Sequence, residues 1–157
     1  RILEQLCVEE GCYETKEHLT LIQDLNKLDI ARKNICRQEA GRYRLFGWSV
    51  PNGFPNSNNA MKNVYMRIIQ ACIIADESEL LAGISFSGLV QIISGIDGKV
   101  RKDSVRDALL RIDRLQAEKS INPIIATYNP VTGILHLADR ELLFYRKYGG
   151  PKWPWEE

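Results

Sequence analysis

Basic side chains recur in the segment KDSVRDALLRIDRL, residues 102–115, at a spacing that suits contact with a polyanion. Four of them fall on the side of a helix that lies opposite an apolar stripe: Lys102, Arg106, Arg111 and Arg114. Two more, Lys99 and Arg101, lie in the preceding turn. Arginine pairs with guanine edges in the major groove, and both residue types bind phosphates. The segment therefore predicts a helix whose outer face contacts double-stranded DNA.

Carboxylates interrupt this basic row and support a second interpretation. Asp107 precedes Arg111 by four residues and Asp103 precedes Arg106 by three, so that each carboxylate can form an ion pair on the helix surface. Such pairs contribute about 0.2–0.5 kcal/mol each. Asp113 adds a third negative charge. A solvated or protein-facing amphipathic helix explains the pattern as well as a DNA-reading helix does, and the sequence leaves both open.

Two helices are expected before this segment. NNAMKNVYMRIIQACIIADES carries apolar side chains at helical spacing, and Asn58 or Asn59 is the expected cap. The acidic residues that follow it are expected to form a solvated turn. A second helix in SFSGLVQIISG has Ser85 or Ser87 as its cap, and Gly95 is expected to end it.

The basic segment itself forms the third helix, with Asp103 or Ser104 as the expected cap and helical order fading near residue 118. Two β-rich runs, residues 124–128 and 134–137, then flank the turn sequence NPVTG and predict a β-hairpin. A last helix is expected over residues 139–149.

The order helix, helix, helix, hairpin, helix over residues 58–148 resembles the winged helix-turn-helix superfamily. The resemblance implies that the third helix is the recognition element and that the hairpin is the wing. The wing tip, NPVTG, carries no Arg or Lys. This departs from the pattern of wings that grip DNA.

The first fifty residues resemble part of a second module of the same kind. RILEQLCVEEG and TKEHLTLIQDLNKL predict two helices, with Thr15 capping the second, and DIARKNICRQEAGRYRLFG predicts two strands joined at EAG. Arg42 and Arg44 alternate along the second of these strands and would share one face. The resemblance implies that they contact DNA through a wing. Arg42 and Arg44 could contact the same DNA as the third-helix arginines only if both groups lie on one continuous face.

The predicted fold class is therefore α+β and mainly helical, with two winged-helix-like modules, each a small helical bundle with a hairpin wing. Residues 1–50 form a partial module, residues 51–59 a linker rich in proline and asparagine, residues 60–149 the second module, and residues 150–157 a tail. A single mixed α/β domain is the alternative. A helix without a cap at Arg1 and the missing first helix predict a piece of a longer protein.

The tail GGPKWPWEE contains two tryptophans, Trp153 and Trp155, whose exposure to water is unfavourable. They are expected to pack either against this chain or against a partner protein. The alternative to DNA binding is accordingly a winged-helix scaffold in a multisubunit assembly, with the tail as a protein-interaction site.

Composition and motifs give little support for catalysis or cofactors. The formal net charge is only +1, which argues mildly against strong non-specific nucleic-acid binding. No phosphate-binding glycine loop or nucleophile–base spacing is present, so no enzyme, cofactor or metal site is predicted. The cysteine and histidine spacings do not match metal sites and indicate reduced thiols in an intracellular protein: Cys7, Cys12, Cys36, Cys72, His18 and His136. The leading prediction is double-stranded DNA binding within a larger regulator or ATPase.

Overall fold

The computed structural model of the protein describes residues 1–9, 11, 25–98, 100–149 and 152–156. Across these residues helices dominate, and three short strands form one antiparallel sheet, which confirms the predicted mainly helical α+β class. The helices are α1 (Ile2–Glu9), α2 (Leu25–Arg44), α3 (Asn59–Ile74), α4 (Glu77–Ala82), α5 (Phe86–Asp97), α6 (Lys102–Leu109), α7 (Ile112–Glu118) and α8 (Glu141–Tyr148). The strands are β1 (Ile84–Ser85), β2 (Ala126–Asn129) and β3 (Ile134–Leu137).

Capping and turn residues set the elements that the sequence predicted in the second half of the chain. The Asn58 side chain accepts a hydrogen bond from the Met61 amide at the start of α3. Ser85 does the same for Gly88 at the start of α5. Gly133 closes the β2–β3 turn with a φ of +67°, a conformation that glycine adopts without strain. The predicted helices α3, α5 and α8 and the hairpin are confirmed.

Strand β1 was not predicted, and it ties the hairpin to the helices. It pairs with β3, so that the sheet order is β1-β3-β2. Ile84 lies opposite Leu135, and both are buried. The Phe86 amide also donates to the Gly133 carbonyl at 2.8 Å. The start of α5 is thus joined to the turn end of the hairpin.

The helix expected over residues 102–118 is broken at Leu110 and Arg111. The Arg111 amide donates to the carbonyl of Ala108, only three residues back, and the chain leaves the α-helical ladder there. The expected cap was also wrong, because α6 begins at Lys102 and no side chain caps it. The basic segment is therefore two short helices rather than one.

Two further boundaries differ from those expected. Helix α5 continues past Gly95 to Asp97 and ends at Gly98, whose φ is +75°. The acidic residues after α3 form a short helix instead of a solvated turn, because Asp76 accepts hydrogen bonds from Ser78 and so caps α4.

The two strands predicted within residues 29–47 were wrong. This segment belongs to the twenty-residue helix α2 and to a π-helical turn, Leu45–Ser49, that follows it. Its buried side chains recur at helical spacing, as Ala31, Ile35 and Tyr43 show. The described part of residues 1–50 contains no strand, so the expected wing of a first module is not formed there. Residues 15–24 of the helix expected from Thr15 lie outside the described residues, and its last four residues belong to α2.

One continuous core joins the two halves of the chain. Buried apolar residues extend from Cys36 on α2 through α3, α5, α6 and the sheet to Trp153 in the tail. Helix α2 packs against α8, and α3 packs against both α5 and α6. Residues 25–50 therefore share their core with residues 59–148.

Candidate nucleic-acid interface

The outer face of α6 and α7 presents basic side chains to solvent because the opposite face is buried. Val105, Leu109 and Ile112 have almost no exposed surface and anchor the two helices on the core. The exposed basic residues of this face are Arg101, Lys102, Arg106, Arg111 and Arg114. Lys99 lies outside the described residues.

The ion pairs that would explain these charges without a ligand are not formed. Asp103 does not pair with Arg106, and Asp107 does not pair with Arg111. Arg114 pairs with Glu118 at 3.0 Å, and Asp113 accepts a hydrogen bond from Thr127 at 2.6 Å. Four cations of this face have no ion-pair partner within the described part of the chain: Arg101, Lys102, Arg106 and Arg111.

On the wing side of this face lies a groove of about 370 Å³ between α5, the α6–α7 break and the hairpin turn. The guanidinium of Arg106 lies over the Phe86 ring, 4.9 Å from its centroid, at one wall of the groove. Leu110 and the turn residue Val131 are also lining residues, and Val131 is 92% exposed. The wing tip therefore exposes an apolar side chain, and, as the sequence shows, it carries no Arg or Lys.

On the other side lies a pocket of about 260 Å³ between Arg111 and the chain that enters α3. Its lining residues are Phe54, Asn56, Ser57, Asn58, Met61, Tyr65 and Arg111. Burial raises the pKa of Tyr65, the nearby charge of Arg111 works against that rise, and the charge of Asp107 adds to it. Basic residues of α6 and α7 thus border a cavity on each side.

A buried glutamine fixes α7 relative to the sheet. The Gln116 side chain is fully buried. Its oxygen accepts from the Ile125 amide at 2.8 Å and from the Ala126 amide at 3.2 Å. Its nitrogen donates to the Ala126 carbonyl at 2.6 Å and to the Ile112 carbonyl at 3.2 Å. The amide side chain therefore sets the position of the α6–α7 face relative to the hairpin.

The second predicted group of arginines is placed differently from expectation. Arg42 lies on α2, and its guanidinium contacts the Asp139 carboxylate at 2.6 Å and the Pro123 carbonyl at 3.1 Å. Those partners stand at the open end of the hairpin, whereas Arg106 stands at its turn end. Arg44 is exposed in the last turn of α2. The two arginine groups do not form the single face that joint DNA contact requires.

The arginine–aspartate contact belongs to a compact polar cluster. The Tyr43 hydroxyl donates to the same Asp139 oxygen at 2.8 Å, and Glu39 pairs with Arg42 at 3.2 Å. The pKa of Tyr43 is raised, first by burial and then by its bond to Asp139. These groups hold α2 against the start of α8, which leaves Arg42 little freedom to reach a ligand.

The tryptophans of the tail pack against this chain. Trp153 is 6% exposed and stacks on Trp48, with 5.9 Å between ring centroids. Trp155 stacks in parallel on the outer side of Trp153 at 5.7 Å. Of the two packing modes expected for the tail, the structure has the one within the chain. The ring of Trp153 is thereby removed from the surface that a partner would contact.

Several residues of this region carried no sequence signal for a site. Tyr65 lies in the apolar stripe of α3, a position that indicates a core residue rather than a site. Phe86 and Gln116 become relevant only through contacts with segments that the fold brings next to them. Asn56 and Ser57 have the composition of an ordinary turn.

Groups of three or more metal-ligating side chains do not occur among the described residues. In the same part of the chain, every helix is too short or too polar to cross a membrane. Comparison with protein families, with curated proteins and with solved structures found no match to this chain.

Proposed function

We propose that residues 59–148 form a winged-helix module that binds double-stranded DNA. The α6–α7 pair is the reading element and the β2–β3 hairpin is the wing. The order of elements supports this assignment: α3, the short helix α4, β1, α5, α6–α7, β2 and β3, with the sheet order β1-β3-β2. In such modules the third helix enters the major groove while the flanking elements contact the backbone.

One observation carries the proposal. Lys102, Arg106 and Arg111 project from an exposed helical face and have no ion-pair partner in the described residues. A phosphate or a guanine edge can take up these charges without breaking an existing pair. Because α2 holds Arg42 in an internal cluster, the proposal does not include the Arg42 and Arg44 group.

A second candidate, protein docking as part of an assembly, is favoured by the apolar character of the wing side. Val131 at the turn is almost fully exposed, and Leu110 beside it is 55% exposed. Apolar side chains that face a common groove are typical of protein-interaction surfaces. On this alternative Arg106 would bind a carboxylate of the partner.

Replacing Arg106 and Arg111 together by alanine is expected to weaken duplex binding by about 1–3 kcal/mol per side chain, because alanine cannot bind a phosphate or a base edge. The logarithm of the binding constant should also fall less steeply with the logarithm of the salt concentration, by about one for each phosphate that the variant no longer neutralises. Fluorescence anisotropy with a random duplex of about 30 base pairs, over a range of salt concentrations, measures both quantities.

Arg140→Ala is the matched control, since Arg140 is exposed near the open end of the hairpin and away from α6. It should leave affinity and salt dependence close to those of the unmodified protein. If the unmodified protein fails to bind duplex even at low salt, DNA binding by this face is wrong. Binding that the double replacement does not change would place the DNA on another surface.

A further inference from the structure

The pocket beside Arg111 is lined by a buried tyrosine whose hydroxyl makes no hydrogen bond within the described part of the chain. This residue is Tyr65, and it is 1% exposed. The hydroxyl of a tyrosine whose ring is buried usually has a hydrogen-bond partner. Because Tyr65 lines the pocket, its hydroxyl can donate to a ligand there that carries an acceptor.

The rest of the lining has the donors that an oxyanion needs. The side chains of Asn56 and Ser57 make no hydrogen bond within the described part of the chain. Arg111 adds a full positive charge without an ion-pair partner there. The pocket also lies at the N-terminus of α3, a sixteen-residue helix whose dipole favours a negative charge. Three neutral donors beside one guanidinium match an anion with several acceptor oxygens.

We infer that this pocket binds one phosphate group of the DNA backbone, with Tyr65, Ser57 and Arg111 as its donors. The inference rests on the proposed function, because Arg111 belongs both to the pocket and to the α6–α7 face. A backbone phosphate in this position would fix the register of the reading helices on the duplex. Asp107 is the opposing group, since its carboxylate lies close enough to Tyr65 to raise the pKa of that residue.

Two titrations test this assignment on the whole chain. In the first, inorganic phosphate is added while NMR follows the backbone amides of Ser57 and Asn58 and the side-chain Nε–H of Arg111. Saturable shifts are expected, and they should disappear in Arg111→Ala. In the second, duplex anisotropy is measured for Tyr65→Phe, which removes the hydroxyl and keeps the ring. A fall in affinity of about five- to tenfold is expected.

Two further measurements in the duplex titration distinguish the neutral donor from the charged groups: the salt dependence of binding and the effect of removing a negative charge. Tyr65→Phe should leave the salt slope unchanged because the group it removes is a neutral donor, whereas Arg111→Ala should reduce the slope by about one. Asp107→Asn removes a like charge from the neighbourhood of the phosphate and should tighten binding about two- to threefold. Arg140→Ala should change neither titration.

The outcomes separate the two proposals. Duplex binding that Tyr65→Phe does not weaken, together with no phosphate shifts at Ser57, would overturn the pocket and leave the proposed function intact. Phosphate shifts without any duplex binding would overturn the DNA assignment and make free phosphate the source of the ligand. If Tyr65→Phe keeps native stability but lowers the affinity for both inorganic phosphate and the duplex, the result supports a backbone phosphate in the pocket.

Discussion

Replacing Gln116 with leucine is expected to lower the free energy of unfolding by about 3–5 kcal/mol. Leucine keeps the volume of the side chain but removes its hydrogen bonds to the backbone of Ile125 and Ala126 at the start of β2. The Ile125 and Ala126 amides and the Ala126 carbonyl would then lack these bonds in a buried site. Each buried backbone group left unpaired costs about 1–3 kcal/mol. Urea denaturation of both proteins measures the difference.

Gln91→Leu provides the control, because Gln91 is exposed on α5. Exposed substitutions of this kind usually change stability by less than about 0.5 kcal/mol. Amide hydrogen exchange adds a local measurement, in which Ile125 and Ala126 should lose protection in Gln116→Leu. A loss of stability below about 1 kcal/mol would show that another group can satisfy the β2 backbone.

Replacing Trp153 with alanine is expected to lower the free energy of unfolding by about 3–5 kcal/mol, the range found for large aromatic residues in cores. The indole lies between Trp48 and Trp155 and meets Tyr145 edge-on at 5.9 Å. It also packs directly on Gly47, where a Cβ would come within 2.8 Å of the ring. Alanine would leave a cavity between the tail, α8 and the turn after α2.

Trp155→Ala is the comparison variant, since that ring covers only the outer side of the stack and is half-buried. A smaller loss of about 1–2 kcal/mol is expected for it. Thermal denaturation, followed by circular dichroism, checks the order of the two variants. Equal stability of Trp153→Ala and the unmodified protein would mean that the tail does not pack on the core in solution, and the tryptophans would again be candidates for a partner surface.

Local chemistry was sufficient to predict several elements. Asn58 and Ser85 cap helices because their side chains bond amides three residues ahead. The β2–β3 hairpin follows from NPVTG, in which Asn129 accepts hydrogen bonds from the next amides and Gly133 adopts a positive φ. Each of these interactions spans fewer than five residues, and the sequence therefore contains all that determines it.

Helix α2 was not predictable from such signals. Gly41 and the alternation of Arg42, Tyr43, Arg44 and Leu45 favour a strand and a turn when they are considered locally. A glycine inside a helix costs about 1 kcal/mol. Burial of Tyr43 against Tyr145 of α8 outweighs that cost. The packing partner lies about a hundred residues further along the chain and leaves no trace in the local pattern.

The candidate site likewise combines features that the sequence predicts with features that depend on the fold. Helical periodicity alone places basic residues on the outer face of the third helical segment, because the apolar stripe leaves them no other side. Which of these charges have partners depends on the folded arrangement of the chain. Arg114 pairs within its own helix, Arg42 pairs with Asp139 across the fold, and Arg111 borders a pocket formed by a distant turn. Electrostatic partners depend on distances of a few ångströms between remote segments, and those distances are set by how the core packs.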